Sequence, residues 1–194
     1  MINKIALAGA AALATIAGAG MASAVSAGGD SAQAGGSDSV GSAASVTAFR
    51  CDGGSQKAVY NRIVNQPFVF GEGGTVGVPG AGLGLTGPVR GADTLSVTFS
   101  AETQLRGNAS NDQFDWAELE VLLDGVPLQP AGPPGSPMAI TGSSTYAMNA
   151  AQFCGKIREG QHTIRVVSRI VDNGNDDTLS TWLDDYVLRV EVSD

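Results

Sequence analysis

The sequence predicts an all-β fold, a β-sandwich of the jelly-roll type, and three observations carry that expectation. Between about Ser45 and Asp194, apolar and polar side chains alternate in roughly nine to eleven short runs, the period of a strand with one buried face. Gly, Pro, Asn and Asp stand at most of the junctions between those runs, where turns need them. No segment repeats its apolar residues at the 3.6 spacing of an amphipathic helix. An immunoglobulin-like sandwich is the alternative, but the cysteine pair lacks that fold's intersheet spacing around a Trp.

In chain order, Met1 to Ala24 reads as a secretory signal. Lys4 supplies the positive start, Ile5 to Gly18 the apolar run, and Ala22-Ser23-Ala24 the small residues for cleavage. The run is shorter than the roughly 20 residues that span a bilayer, and no later segment is continuously apolar, so an exported chain with no integral membrane segment is expected. Val25 to Ala44 is almost wholly Ala, Gly and Ser, with too little apolar surface to offset chain entropy, and reads as a flexible linker. Gly29-Asp30-Ser31 within it matches the opening of one lipase nucleophile block. It lacks the preceding strand and the later Asp-x-x-His that such a serine needs.

The remaining residues, 45–194, are enough for one core. Val46 to Cys51 and Lys57 to Val64 alternate as strands, and Gln66 to Phe70 begins another. Gly71 to Gly91 is so rich in glycine that only short or bulged edge strands are expected there. Ala92 to Ala101 is the clearest strand, with Leu95, Val97, Phe99 and Ala101 on one face and Thr94, Ser96, Thr98 and Ser100 on the other, and should be central. Phe114 to Leu123 has helical propensity. Its alternation of Ala117, Leu119, Val121 and Leu123 against Trp116, Glu118 and Glu120 favours a strand, turned by Asp124-Gly125 into Val126-Pro127-Leu128. Pro130 to Ser136 is a loop, Met138–Ile140 and Ser144–Met148 are short strands, and Ala147 to Phe153 supplies one helical turn before Cys154. His162 to Val192 then reads as a terminal hairpin around the acidic turn DNGNDD. Its apolar face is Ile164, Val166, Ile170, Tyr186, Leu188 and Val190, and Arg165 and Arg169 face Asp185, Arg189 and Glu191 in a charge ladder.

The runs VTFSAE, LLDGVPLQP, GQHTIRV and WLDDYVLRVE, with a Cys between the second and third, resemble a group of short exported bacterial proteins of uncharacterised function, single β-sandwich domains. The resemblance covers about Ala92 to Glu191, rests on structural motifs, and implies a fold and no activity.

The whole chain has 11 basic and 19 acidic side chains. Without Met1 to Ala24 the basic count falls to 10 and the net charge to −9, which opposes phosphate backbones and sets nucleic acid aside. Cys51 and Cys154, an even pair in an exported chain, are expected to form one disulfide joining the first strand to the segment before the last hairpin.

Three candidate sites follow. Asp172, Asn173, Asn175, Asp176 and Asp177 place side-chain oxygens close together, chemistry suited to Ca2+. The spacing is not that of an EF-hand, and a hairpin turn explains the same residues. Trp116, flanked by Asp115 and Glu118, shares the parity of the polar face and is the expected exposed platform for a sugar ring. Trp182, beside Asp184 and Asp185, shares the parity of Tyr186 and Leu188 and is expected in the core. A glycosidase would need a carboxylate pair such as two of Asp115, Glu118 and Glu120. The lone His162 reads as a structural residue at a strand edge. The expected function is that of an exported, non-catalytic module binding a ligand such as carbohydrate or another surface protein. The alternatives are a self-assembling surface protein and, behind it, a small glycoside hydrolase.

Overall fold

A computed structural model describes residues 51–107, 115–130, 138–173 and 178–194. The expected signal peptide, the linker, the residues before Cys51, and Asn175, Asp176 and Asp177 lie outside the described residues. The elements are β1 (Gln56–Val64), β2 (Phe68–Gly71), β3 (Val76–Thr86), β4 (Ala92–Arg106), β5 (Trp116–Leu123), β6 (Val126–Pro127), β7 (Met138–Thr141), β8 (Ala147–Arg158), β9 (Gln161–Val171) and β10 (Ser180–Ser193).

These strands form two antiparallel sheets. The first has the order β1-β10-β4-β8, with β2 also pairing β10; the second has the order β3-β9-β5-β6, with β7 also pairing β5. Successive strands therefore cross between sheets at β3, β4, β5, β8, β9 and β10, which is the winding of a jelly roll. This order excludes the immunoglobulin-like alternative.

The alternation in the sequence builds the core directly. Leu95, Val97, Phe99 and Ala101 of β4 have no exposed surface, nor do Leu119 and Val121 of β5 or Val166 of β9, and the two inner faces interdigitate with Phe153, Ile157, Tyr186, Leu188 and Val190. Each Leu, Ile, Val or Phe among them contributes about 1.5 to 3 kcal/mol of burial, an upper bound because unfolded chains already bury some surface. Tyr186 satisfies its hydroxyl by donating to the Pro79 carbonyl of the opposite sheet at 2.6 Å. β4 is central, as expected, and the Asp124-Gly125 turn has φ of 52° and 84°, the two positive values of a type I′ hairpin. The glycine-rich β3 carries its expected bulge between Gly77 and Gly82.

Three expectations are corrected. The terminal segment is not a hairpin: β9 lies in the second sheet and β10 in the first, so their apolar faces meet across the core and their backbones do not pair. The charge ladder between them is consequently absent; Arg169 pairs with Glu118 of β5, and Arg189 with Glu191 two residues along its own strand. Ala147 to Phe153 is no helical turn but the first half of β8, held by β4 from Thr103↔Ala147 onward. Propensity toward helix in that Ala-rich run yields to pairing with a central strand.

The expected disulfide is present, Cys51 to Cys154 with Cα atoms 5.8 Å apart. It fastens the segment before β1 to the interior of β8, one strand earlier than the supposed hairpin. Among the described residues no helix is long and apolar enough to cross a membrane.

Candidate functional site

The outer faces of the two sheets carry the polar and aromatic residues that the core leaves over. On the second sheet, β5 and β9 pair with Trp116 opposite Val171, Glu118 opposite Arg169 and Glu120 opposite Val167. Glu118 is only 1% exposed, although its parity points it away from the core. It is covered by its neighbours: the Arg169 guanidinium donates to Oε1, and the Trp116 indole N–H donates to Oε2 at 3.2 Å. Trp116 is half-buried over this ion pair. The expected exposed platform is thus a lid on a buried carboxylate, because a charge at that depth needs donors on both oxygens. The same closure removes Glu118 from any glycosidase pair, since neither oxygen is open to a substrate.

Asp115, just before β5, is also 1% exposed. Its Oδ1 accepts the backbone N–H of Asn173 at 3.0 Å, so this carboxylate is turned to the chain leaving β9. Asp172 and Asn173 lie at that point. No group of three or more acidic, His or Cys side chains is arranged around a metal position among the described residues.

On the outer face of the first sheet, the structure brings together residues that the sequence reading had separated. Trp182 is not in the core. Between Asp184 and Val187 the pairing of β10 with β4 shifts, and Asp185 there has φ 43°. The extra residue reverses the parity: Thr181 and Leu183 are fully buried, while Trp182 is half-buried on the outside, opposite Gln104 of β4 and Val69 of β2. The Arg106 guanidinium lies 4.2 Å from the centre of its ring, and the Tyr146 ring stands 5.0 Å away at 33°. Tyr146 is 41% exposed and donates its hydroxyl to the carboxylate of Glu102. That bond, first among several causes, pushes the phenol up to about 12, so the hydroxyl stays a donor throughout the neutral range. Met148, 60% exposed, pairs with Glu102 beside it, and Asp184 pairs with Glu102 on the other side.

The signal for this face was in the sequence. Two consecutive Asp residues, Asp184-Asp185, interrupt an otherwise strand-forming run, and Asp is among the residues that tolerate a left-handed conformation, so a bulge there was readable. Counting parity straight through it hid Trp182.

His162 has the structural role expected of it. Nδ1 meets Asp124 Oδ2 at 2.6 Å and Nε2 meets the Arg158 carbonyl at 3.0 Å. Both ring nitrogens face acceptors, which calls for the doubly protonated ring, tying the β5–β6 turn to the β8–β9 turn.

No protein-family model matches the chain, and no curated protein matches it in sequence. Among solved structures, it is similar to the VP2 subviral particle of infectious bursal disease virus, at 14% identity over 79% of this chain and 36% of that one, with TM-score 0.42. A T13 particle of the same virus matches at 15% identity over 76% of this chain and 36% of that one, with TM-score 0.45. A family 35 carbohydrate binding module from Clostridium thermocellum matches at 14% identity, covering 68% of this chain and 97% of that one, with TM-score 0.30. The chain spans little more than a third of the length of the capsid chains it matches. At such identities a likeness concerns the fold alone, and the jelly roll stands on the strand order itself.

Proposed function

We propose that this chain is an exported, non-catalytic jelly-roll module that binds carbohydrate on the outer face of its first sheet. One observation carries the reading: Trp182 and Tyr146 lie 5.0 Å apart on a sheet surface with the Arg106 guanidinium and the Glu102 and Asp184 carboxylates around them. Sugar rings present an apolar C–H face and a rim of hydroxyls. An aromatic pair accepts the first, and fixed charges with bidentate geometry hold the second. Export rests on Met1 to Ala24 and agrees with the disulfide, which persists in oxidising compartments.

A glycan array with the mature domain tests this reading. Wild type and Trp116→Ala are expected to bind the same glycans, whereas Trp182→Ala and Tyr146→Ala lose at least tenfold in affinity. Binding that survives both outer-face variants would remove the proposal. The second reading, a self-assembling surface protein, is favoured by Ile63 and Val69, 74% and 52% exposed on β1 and β2 along one edge of this sheet. It gains if the array is blank and light scattering finds mass rising with concentration.

A further inference from the structure

The aromatic face of the first sheet is electrically one-sided. Register places Arg106 opposite Ser180, Gln104 opposite Trp182 and Glu102 opposite Asp184. The cation and the acids therefore lie on either side of Trp182 along the strands, with Arg106 and Glu102 about 13 Å apart. The Arg106 guanidinium is engaged at its own end, lying 4.2 Å from the centre of the Trp182 ring and donating its Nε–H to Gln104 Oε1 at 2.9 Å. At the other end Glu102 and Asp184, both half-buried, stand directly opposite each other on the outer face, and Asp185 follows at the bulge. Like charges so placed are destabilising. The partners that receive them are neutral: the Tyr146 hydroxyl donates to Glu102, and the Asp185 backbone N–H donates to Asp184 Oδ1 at 2.9 Å. Beyond the Glu102 hydrogen bond and burial, the charges of Glu102, Asp184 and Asp185 all raise the Tyr146 phenol, so the three acids surround one exposed ring. Met148, 60% exposed, borders Glu102 on its other side.

We infer that the carbohydrate held on this face carries free amino groups: it is an oligomer of glucosamine, with a ring against Tyr146 and Trp182 and an ammonium between Glu102 and Asp184. The inference rests on the carbohydrate reading above and adds the charge of the ligand to it. The aromatic pair makes the surface, and the acids set the sign of what it holds. An ammonium brings three donors and one positive charge to two facing carboxylates, and aromatic rings attract it as well. An N-acetylated sugar offers only a neutral amide at the same position. A uronate would add a fourth carboxylate to the three already there, a like-charge juxtaposition that disfavours it.

The test is isothermal titration of the full mature chain with two probes, a glucosamine oligomer and the same oligomer fully N-acetylated. The wild type is expected to bind the amine form roughly tenfold more tightly, the gain of hydrogen bonds to charged groups, and raised salt narrows the difference. Glu102→Gln combined with Asp184→Asn removes the preference, whereas Trp182→Ala weakens both probes. Equal affinity of the wild type for the two, with loss in Trp182→Ala, overturns this inference and leaves the carbohydrate reading standing. Binding of neither overturns it too, and the glycan array then decides the carbohydrate reading separately. A preference that survives in the double variant sinks the assigned role of the two acids. A lysine peptide that binds as tightly as the amine oligomer also overturns the inference, because the sugar ring then contributes nothing.

Discussion

Glu118 is the residue on which the outer face of the second sheet depends. It is buried with Arg169 on one oxygen and the Trp116 indole on the other, while the Arg169 side chain itself is 37% exposed. Removing the cation leaves a charge at depth, whereas removing the charge as well does not. Arg169→Leu is therefore expected to lower the unfolding free energy by about 3 kcal/mol, and adding Glu118→Gln to that variant to restore at least half of it. Denaturant melts of the single and double variants check this; equal losses in both would mean the pair is merely superficial. The residue scale is also where sequence reading was weakest. Parity placed Trp116 and Glu118 correctly on the outer face, yet parity carries no information on whether neighbouring side chains cover that face.

At the scale of elements, the strands that alternate without interruption were legible. β5 falls where its periodicity put it, and β4 begins there but runs on to Arg106, five residues past Ala101, with Leu105 buried; the inward residues Leu95, Val97, Phe99, Ala101, Ala117, Leu119 and Val121 are those read from the sequence, because a strand with one buried face writes that face into every second residue. What was lost lay wherever period two breaks. The bulge of β10 at Asp184–Val187 exchanged the expected roles of Trp182 and Thr181, and the pairing of β9 and β10 into different sheets dissolved the hairpin. Sheet membership is a long-range property, set by which edge a strand finds, and adjacent strands joined by a turn signal imitate a hairpin in sequence. The turns themselves have a chemistry that can be tested. His162 is raised above its ordinary 6.5, chiefly by its hydrogen bond to Asp124, and Asp124 is lowered below 3.8, chiefly by the same bond. The histidine's contribution to stability is complete below 6.5 and is lost as pH rises through its raised folded value. The aspartate's is complete above 3.8 and is lost as pH falls through its lowered one. The clamp is thus strongest between those two unfolded values, and salt weakens it because Asp124 is exposed. Since the sequence has a single histidine, the urea midpoint between pH 6 and pH 9 should fall in the wild type and fall less in His162→Gln. Identical pH slopes would show that the ion pair does not act.

For the whole molecule, the one disulfide closes a loop of sequence separation 103, encompassing β1 through most of β8. In the chain-entropy model such a loop is worth about 4 to 5 kcal/mol, acting on the unfolded chain. Reduction, or Cys51→Ser with Cys154→Ser, is expected to lower the unfolding free energy by about that amount while leaving the circular dichroism of the folded state unchanged. A loss below about 1 kcal/mol would mean that the unfolded chain is already held compact there. The strand order has a further consequence for how the chain reaches this state. β10 occupies the middle of the first sheet and is bonded to β1, β2 and β4, so the earliest described strands have no in-sheet neighbour to dock on until residues 180–193 arrive. A ribosome delivers those residues after every other described strand. Before then β4 can pair β8, and β3, β5, β6, β7 and β9 can pair among themselves, while β1 and β2 wait unpaired, so the first sheet closes in a late, non-local step whose rate is limited by the search of distant segments for each other.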